Sequence, residues 1–200
     1  MFDVSQVLEL HERTVAQWHE REPSNPYQGF LHLVCEQHKF NFLLWHEEDV
    51  ARSPDVGDAR IASVKRAIDR YNQQRNDAIE RLDDWLCGEL HERGVLPRQD
   101  AKRSTETPGS AIDRLSILAL RLYHMQEQAD RPEASAEHRA TAQGKLRVLT
   151  RQRSDLAAAL ADLVSDIATG KQRLTVYRQF KMYNDPALNP YLNGQQRKAG

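Results

Sequence analysis

Two stretches of this chain place apolar residues alternately three and four positions apart, which commits most of it to long helices packed along other helices. The first reads Ile61, Val64, Ile68, Tyr71, Arg75, Ala78, Leu82 and Trp85, and the second Leu146, Leu149, Arg153, Leu156, Leu160, Leu163 and Ile167. Each seam carries a single arginine among uncharged residues. A guanidinium does not shed its charge in a protein, so an arginine on an inward seam needs an anion, either a carboxylate of the chain or an acidic group of a ligand.

Helical periodicity covers roughly Val4 to Arg21, Tyr27 to Arg52, Val56 to Arg93, Pro108 to Asp130, and Ala134 to Tyr183 with a weak point at Gly170. No strand pattern competes. Turn-forming residues break the chain at Pro23 to Pro26, at Ser53-Pro54-Asp55, across Gly94 to Thr107 and at Arg131-Pro132. Asp55 is placed to cap the third helix, and Thr107 before Pro108 supplies a cap oxygen ahead of a proline suited to the first helical turn. The expectation is an all-α fold: an antiparallel bundle of five or six long helices with coiled-coil-like seams, one domain over residues 1–183, and an irregular tail over residues 184–200.

With 28 basic against 29 acidic residues, no overall field favours nucleic acid. No apolar run is long enough to span a bilayer, and the N-terminus lacks the apolar core of a signal peptide. Cys35 and Cys87 form no CxxC pair and sit in apolar helical contexts, which suits free thiols in a reducing compartment. These features predict a cytoplasmic protein.

Candidate chemistry gathers around the first seam. On the second helix His38, Asn41, Glu48, Asp49 and Arg52 form a polar stripe around Trp45, although apolar residues occupy several of its sides. Asn72 and Asn76 flank Arg75, and Asp113 and His124 lie on the fourth helix. One reading is a polar cleft with Arg75 as an anion anchor and Asn41, Asn72, Asn76, Asp113 and His124 as its walls. The other pairs Arg75 with Asp113 or Asp49 to fix helix register. Arg153 has no comparable polar surroundings and is expected to pair or reach solvent. Thr107-Pro108-Gly109-Ser110 opens a helix and is a candidate anion seat at Ser110, or an ordinary helix start. His38 and His46 are the candidate proton carriers.

Glu48, Asp49, Glu80 and Asp83 are candidate magnesium ligands. Helical nucleotide pyrophosphohydrolases use ExxE and ExxD pairs on adjacent helices; Glu80 and Asp83 fit the second pair, while His46 and Asp49 depart from the first. Zinc and di-iron sites are disfavoured, because the eight histidines include no HExxH and no paired ExxH. Lys65-Arg66-x-Ile68-Asp69 with Arg75 loosely resembles helical chorismate mutases, over one helix only. No arrangement for covalent catalysis is visible.

The segments HKFNFLLWHEEDVAR (from His38), VKRAIDRYNQQRNDAIERLD (from Val64), STETPGSAIDRLSILALRLYHM (from Ser104) and YRQFKMYNDPALNPYL (from Tyr177) together resemble a family of uncharacterised bacterial domains encountered near genes for lipopolysaccharide and other surface glycans. The resemblance implies a bacterial, all-helical, cytoplasmic protein linked to envelope glycans, with no catalytic residues to carry over. Combined with Arg75, it leads to the expectation of a protein that binds or processes an anionic small molecule, a nucleotide sugar or sugar phosphate. A non-catalytic adaptor for a glycosyltransferase, or a self-assembling homo-oligomer, is the alternative from another class.

Overall fold

The computed structural model describes residues 1–180, Met182 and residues 185–192. Among these the fold is all-α: five helices and two strands of two residues each. The expected tail falls partly outside the described residues, at Asn184 and residues 193–200, and so do Lys181 and Tyr183 at the end of the last expected helix.

Helix α1 spans Val4–Glu20, and its N-cap Asp3 accepts a hydrogen bond from the Ser5 amide at 2.9 Å. Helices α2 (Gly29–Arg52) and α3 (Asp58–Glu92) pack along one another, as do α4 (Pro108–Asp130) and α5 (Ala136–Ala168). Helix α1 lies against α2 and α4 and touches α5. Buried residues from all five helices fill the main core, among them Leu10 and Trp18 of α1, Val34 of α2, Leu82 and Leu86 of α3, Ile112 and Leu115 of α4 and Leu160 of α5. Leu44, Val64 and Ile68 form a second, smaller core where α2 meets the start of α3. Both cysteines are free, and burial of Cys35 pushes its thiol up to about 12.

Three local expectations need correction. Asp55 does not cap α3: Gly57 is the cap residue and the helix begins at Asp58. The last helix stops at Ala168, short of Tyr183, because Gly170 takes φ +69°, a left-handed conformation open to glycine, and turns the chain away. The chain beyond it pairs in parallel with the α3–α4 connection, Lys102 with Gln172 and Arg103 with Arg173, giving strands β1 (Lys102–Arg103) and β2 (Gln172–Arg173) that no periodicity announces.

Thr107 caps α4 as its sequence suggests, accepting from the Ser110 amide at 3.2 Å. The anion seat at this helix start is filled from inside the protein. Asp83 of α3 accepts a hydrogen bond from the Gly109 amide at 2.8 Å. The approach is so close that a Cβ on Gly109 would lie 2.7 Å from the Ile79 carbonyl oxygen. Gly109 therefore serves helix packing, and the dipole of α4 meets a carboxylate of the chain.

Candidate functional site

Where α2, α3 and α4 meet, one buried carboxylate of α4 gathers polar side chains of α2 and α3. Asp113 accepts hydrogen bonds at Oδ1 from Arg75 Nε at 2.7 Å, Gln37 Nε2 at 2.6 Å and Asn41 Nδ2 at 2.9 Å. Its Oδ2 accepts from Arg75 Nη2. Between the two readings of the seam arginine, the geometry selects internal pairing, with Asp113 and not Asp49 as the partner. The pair leaves Arg75 Nη1 without a hydrogen bond among the described residues, and the hydrogen bonding to Asp113 raises the guanidinium's proton affinity further. The second seam arginine behaves differently: Arg153 pairs with Glu12 of α1 at the protein surface.

The network continues inward. Asn41 also donates to Ser116 Oγ at 2.8 Å, and His38 Nδ1 lies 2.7 Å from the same oxygen. The His38 ring packs against His11 and Trp18 with centroids 4.5 and 5.2 Å apart. Both imidazoles are fully buried. Burial pushes His38 down to about 3, opposed by a hydrogen bond to the His11 backbone, and burial, with His38 and Arg153 nearby, pushes His11 well below its ordinary value. A histidine held neutral this firmly packs and accepts or donates a fixed hydrogen bond; it is a poor proton carrier near pH 7.

Outside this network lies open space. A cleft of about 440 Å³ is lined by Asn41, Trp45, Glu48, Asp49, Asn72 and Arg75, and also by Arg52 and Arg121. Asn76 shares the helix but is not part of the wall. A larger cleft of about 910 Å³ runs between α4 and α5 and takes in Trp45, Asp49, Arg121, His124 and Lys145. A third, of about 620 Å³, again includes Arg121, with Arg114 and Glu106. Arg52 is held by Glu48 at 2.8 Å and Arg114 by Glu106 at 2.8 Å, whereas Arg121 has no partner among the described residues.

The remaining candidates divide between these surroundings and other tasks. Ser110 bonds Thr107 at the start of α4, side chain to side chain at 3.0 Å. Glu80 accepts from Arg178 at 3.1 Å and from the Gln179 amide at 3.0 Å. Asp83 is buried under α4; desolvation raises it to about 6, with the Thr107 hydroxyl and Gly109 amide pulling the other way. Their oxygens do not converge with those of Glu48 and Asp49. Among the described residues the group whose ligand atoms do converge is His19, His46 and His124, from α1, α2 and α4, all within 4.8 Å of one another. Burial, then the neighbouring His19 and His124, lowers the proton affinity of His46. His19 and Arg121 carry no local motif, and only the folded helices bring them into these positions.

Residues 31–176 match the model of a family described as a protein of unknown function (DUF4254). The chain belongs to this family. The DUF4254 match takes in α3, α4 and α5 entire and all of α2 from Leu31, so the Asp113 network, the clefts and two of the three converging histidines fall within it, while His19 lies outside. No curated protein and no solved structure matches the chain. No described helix of this DUF4254 chain is long and apolar enough to cross a membrane.

Proposed function

We propose that the chain, working as one antiparallel helical domain in the cytoplasm, binds an anionic small molecule where the clefts between α2, α3, α4 and α5 meet. Arg121 carries this reading. It lines all three clefts, and it has neither an ion pair nor a hydrogen bond among the described residues. A guanidinium without a carboxylate at the meeting of concave surfaces suits an acidic ligand, which it can hold in a two-point grip. Trp45 lines the two clefts on either side and offers an aromatic surface to a base or sugar ring, while Lys145 and Arg75 Nη1 add positive charge. A nucleotide sugar or sugar phosphate has this combination of a flat or hydroxylated body and a phosphate. The resemblance of the His38 to Arg52 and Ser104 to Met125 segments to domains found near surface-glycan genes favours the same class.

The test is a thermal-shift panel of nucleotide sugars, sugar phosphates, nucleoside triphosphates and chorismate, each with and without magnesium. A selective rise in Tm that Arg121→Ala abolishes, while leaving the unliganded Tm unchanged, is the expected result. A flat panel, or a shift that survives Arg121→Ala, overturns the reading.

One observation favours a second reading, an adaptor for a glycosyltransferase or a self-assembling scaffold. Tyr177, Phe180, Leu188 and Tyr191 leave large apolar side chains exposed along the C-terminal segment. Light scattering during gel filtration tests self-association, and a monomer whose mass is unchanged by substituting these residues with serine counts against it.

A further inference from the structure

We propose that His19, His46 and His124 form a binding site for one transition-metal ion of the zinc class. The three residues come from three helices, and their ligating atoms lie within 4.8 Å of one another. Three imidazoles bound to a tetrahedral ion at about 2.1 Å have nitrogens roughly 3.4 Å apart, so small side-chain rotations close the set around a metal.

The hydrogen bonds on the far side of two rings fix which nitrogen is bare. His19 Nδ1 is 2.7 Å from the Val15 carbonyl oxygen, which can only accept, so Nδ1 carries the hydrogen and Nε2 presents a lone pair. His124 Nδ1 is 2.8 Å from Glu127 Oε2, and the same reasoning leaves its Nε2 bare. Metal-binding histidines are oriented in this way, one nitrogen donating to a carbonyl or carboxylate while the other faces the ion. The Nε2 atoms of His19, His46 and His124 are all buried, and none has a hydrogen-bond partner.

Packing alone accounts for part of this arrangement. The rings meet edge to face, His19 with His46 at 5.1 Å and with His124 at 5.0 Å, and Tyr123 and Trp45 stack on His19 and His124 at 4.2 and 4.9 Å. Aromatic packing could use phenylalanine equally well, and it leaves three buried nitrogens without partners, which folded proteins avoid. A cation satisfies all three at once. Imidazole donors select zinc, copper, nickel or iron over magnesium and calcium, and three protein ligands leave a fourth position for water. His124 also lines the 910 Å³ cleft with Asp49 and Glu127, so that position lies next to open space.

The experiment uses the full chain, stripped with chelator and titrated with zinc, cobalt(II) and magnesium. Expected are one zinc per chain by calorimetry, a rise in Tm with zinc but not magnesium, and the intense visible absorption of tetrahedral cobalt. His46→Gln and His124→Gln should each lose the cobalt spectrum and weaken zinc binding by about 100-fold or more, while the exposed His138→Gln changes neither. Glu127→Gln, which only loosens the orientation of His124, should weaken zinc binding about 10- to 100-fold. No zinc binding, octahedral cobalt, or binding indifferent to His46 and His124 overturns the proposal. If a ligand variant fails to fold, judged by circular dichroism, the wild-type cobalt spectrum and Glu127→Gln decide.

Discussion

Arg75 and Arg153 occupy equivalent places on their seams and are almost equally exposed, at 26% and 23%, yet replacing each with methionine should have very different effects. The difference lies in the partners. Asp113 is 6% exposed and Glu12 is 56% exposed. Arg75→Met strands a buried carboxylate whose other donors among the described residues are Gln37 and Asn41. Breaking a buried pair from one side costs about 3–5 kcal/mol. The two remaining donors and the partial exposure of Arg75 put this case near the lower end, at about 3 kcal/mol. For a chain of this size that is a Tm loss of about 6–12 °C. Arg153→Met leaves Glu12 free to hydrate, and exposed pairs contribute less than about 1 kcal/mol. Urea titration followed by circular dichroism at 222 nm measures both, and a double-mutant cycle with Asp113→Ala should report a coupling of about 2 kcal/mol. Equal costs for the two arginines, or a cost for Arg75→Met below about 1 kcal/mol, would refute the argument that partner burial decides.

The remaining predictions concern protons and close contacts. His11 and His38 are held neutral in the fold, so the unfolded chain binds more protons below about pH 6.5, and stability falls as pH drops from there, for His38 down to about pH 3. Asp83, raised to about 6, acts in the opposite sense between about pH 4 and 6, where the fold holds the extra proton and stability falls as pH rises. Each group contributes a slope of about 1.4 kcal/mol per pH unit. Asp83→Asn should therefore steepen the acid-side loss of stability, and His38→Gln should flatten it, in chemical denaturation repeated from pH 4 to 7. Gly109→Ala should cost about 1–3 kcal/mol through contact with the Ile79 carbonyl and Asp83, while Gly144→Ala, whose nearest neighbour is 3.9 Å away, should gain about 0.5–1 kcal/mol; paired urea curves would show whether the signs differ.

Much of the helical layout is legible in the sequence because it rests on local rules. Thr107-Pro108 marks the start of α4, and the three-four spacing puts Val64, Ile68, Ala78 and Leu82 on the inward face of α3. The requirement that Arg75 find an anion was also readable, but the choice of Asp113 over Asp49 was not, because it depends on how α4 is seated against α2 and α3. The same limit explains the filled seat at Gly109, since nothing near Thr107 in the sequence points to Asp83. His19, His46 and His124 share no spacing at all. Their convergence is a product of three helices crossing, and motif reading therefore disfavours zinc at a place where three histidines meet.

The short parallel bridge has a consequence for where this chain can be rebuilt. The Arg98 and Lys102 amides donate to the Gly170 and Lys171 carbonyls, so the connection between α3 and α4 is sewn to residues about seventy positions later. An added peptide there would tear main-chain pairing that also anchors the segment leaving α5. The turn between α4 and α5 closes locally, through the Ala134 amide and the Arg131 carbonyl and through Arg139 of α5, which donates to the Pro132 carbonyl at 3.3 Å, and Arg131, Pro132 and Glu133 are exposed. That turn is the natural place to splice in a reporter, or to open new chain ends, without unpicking anything distant.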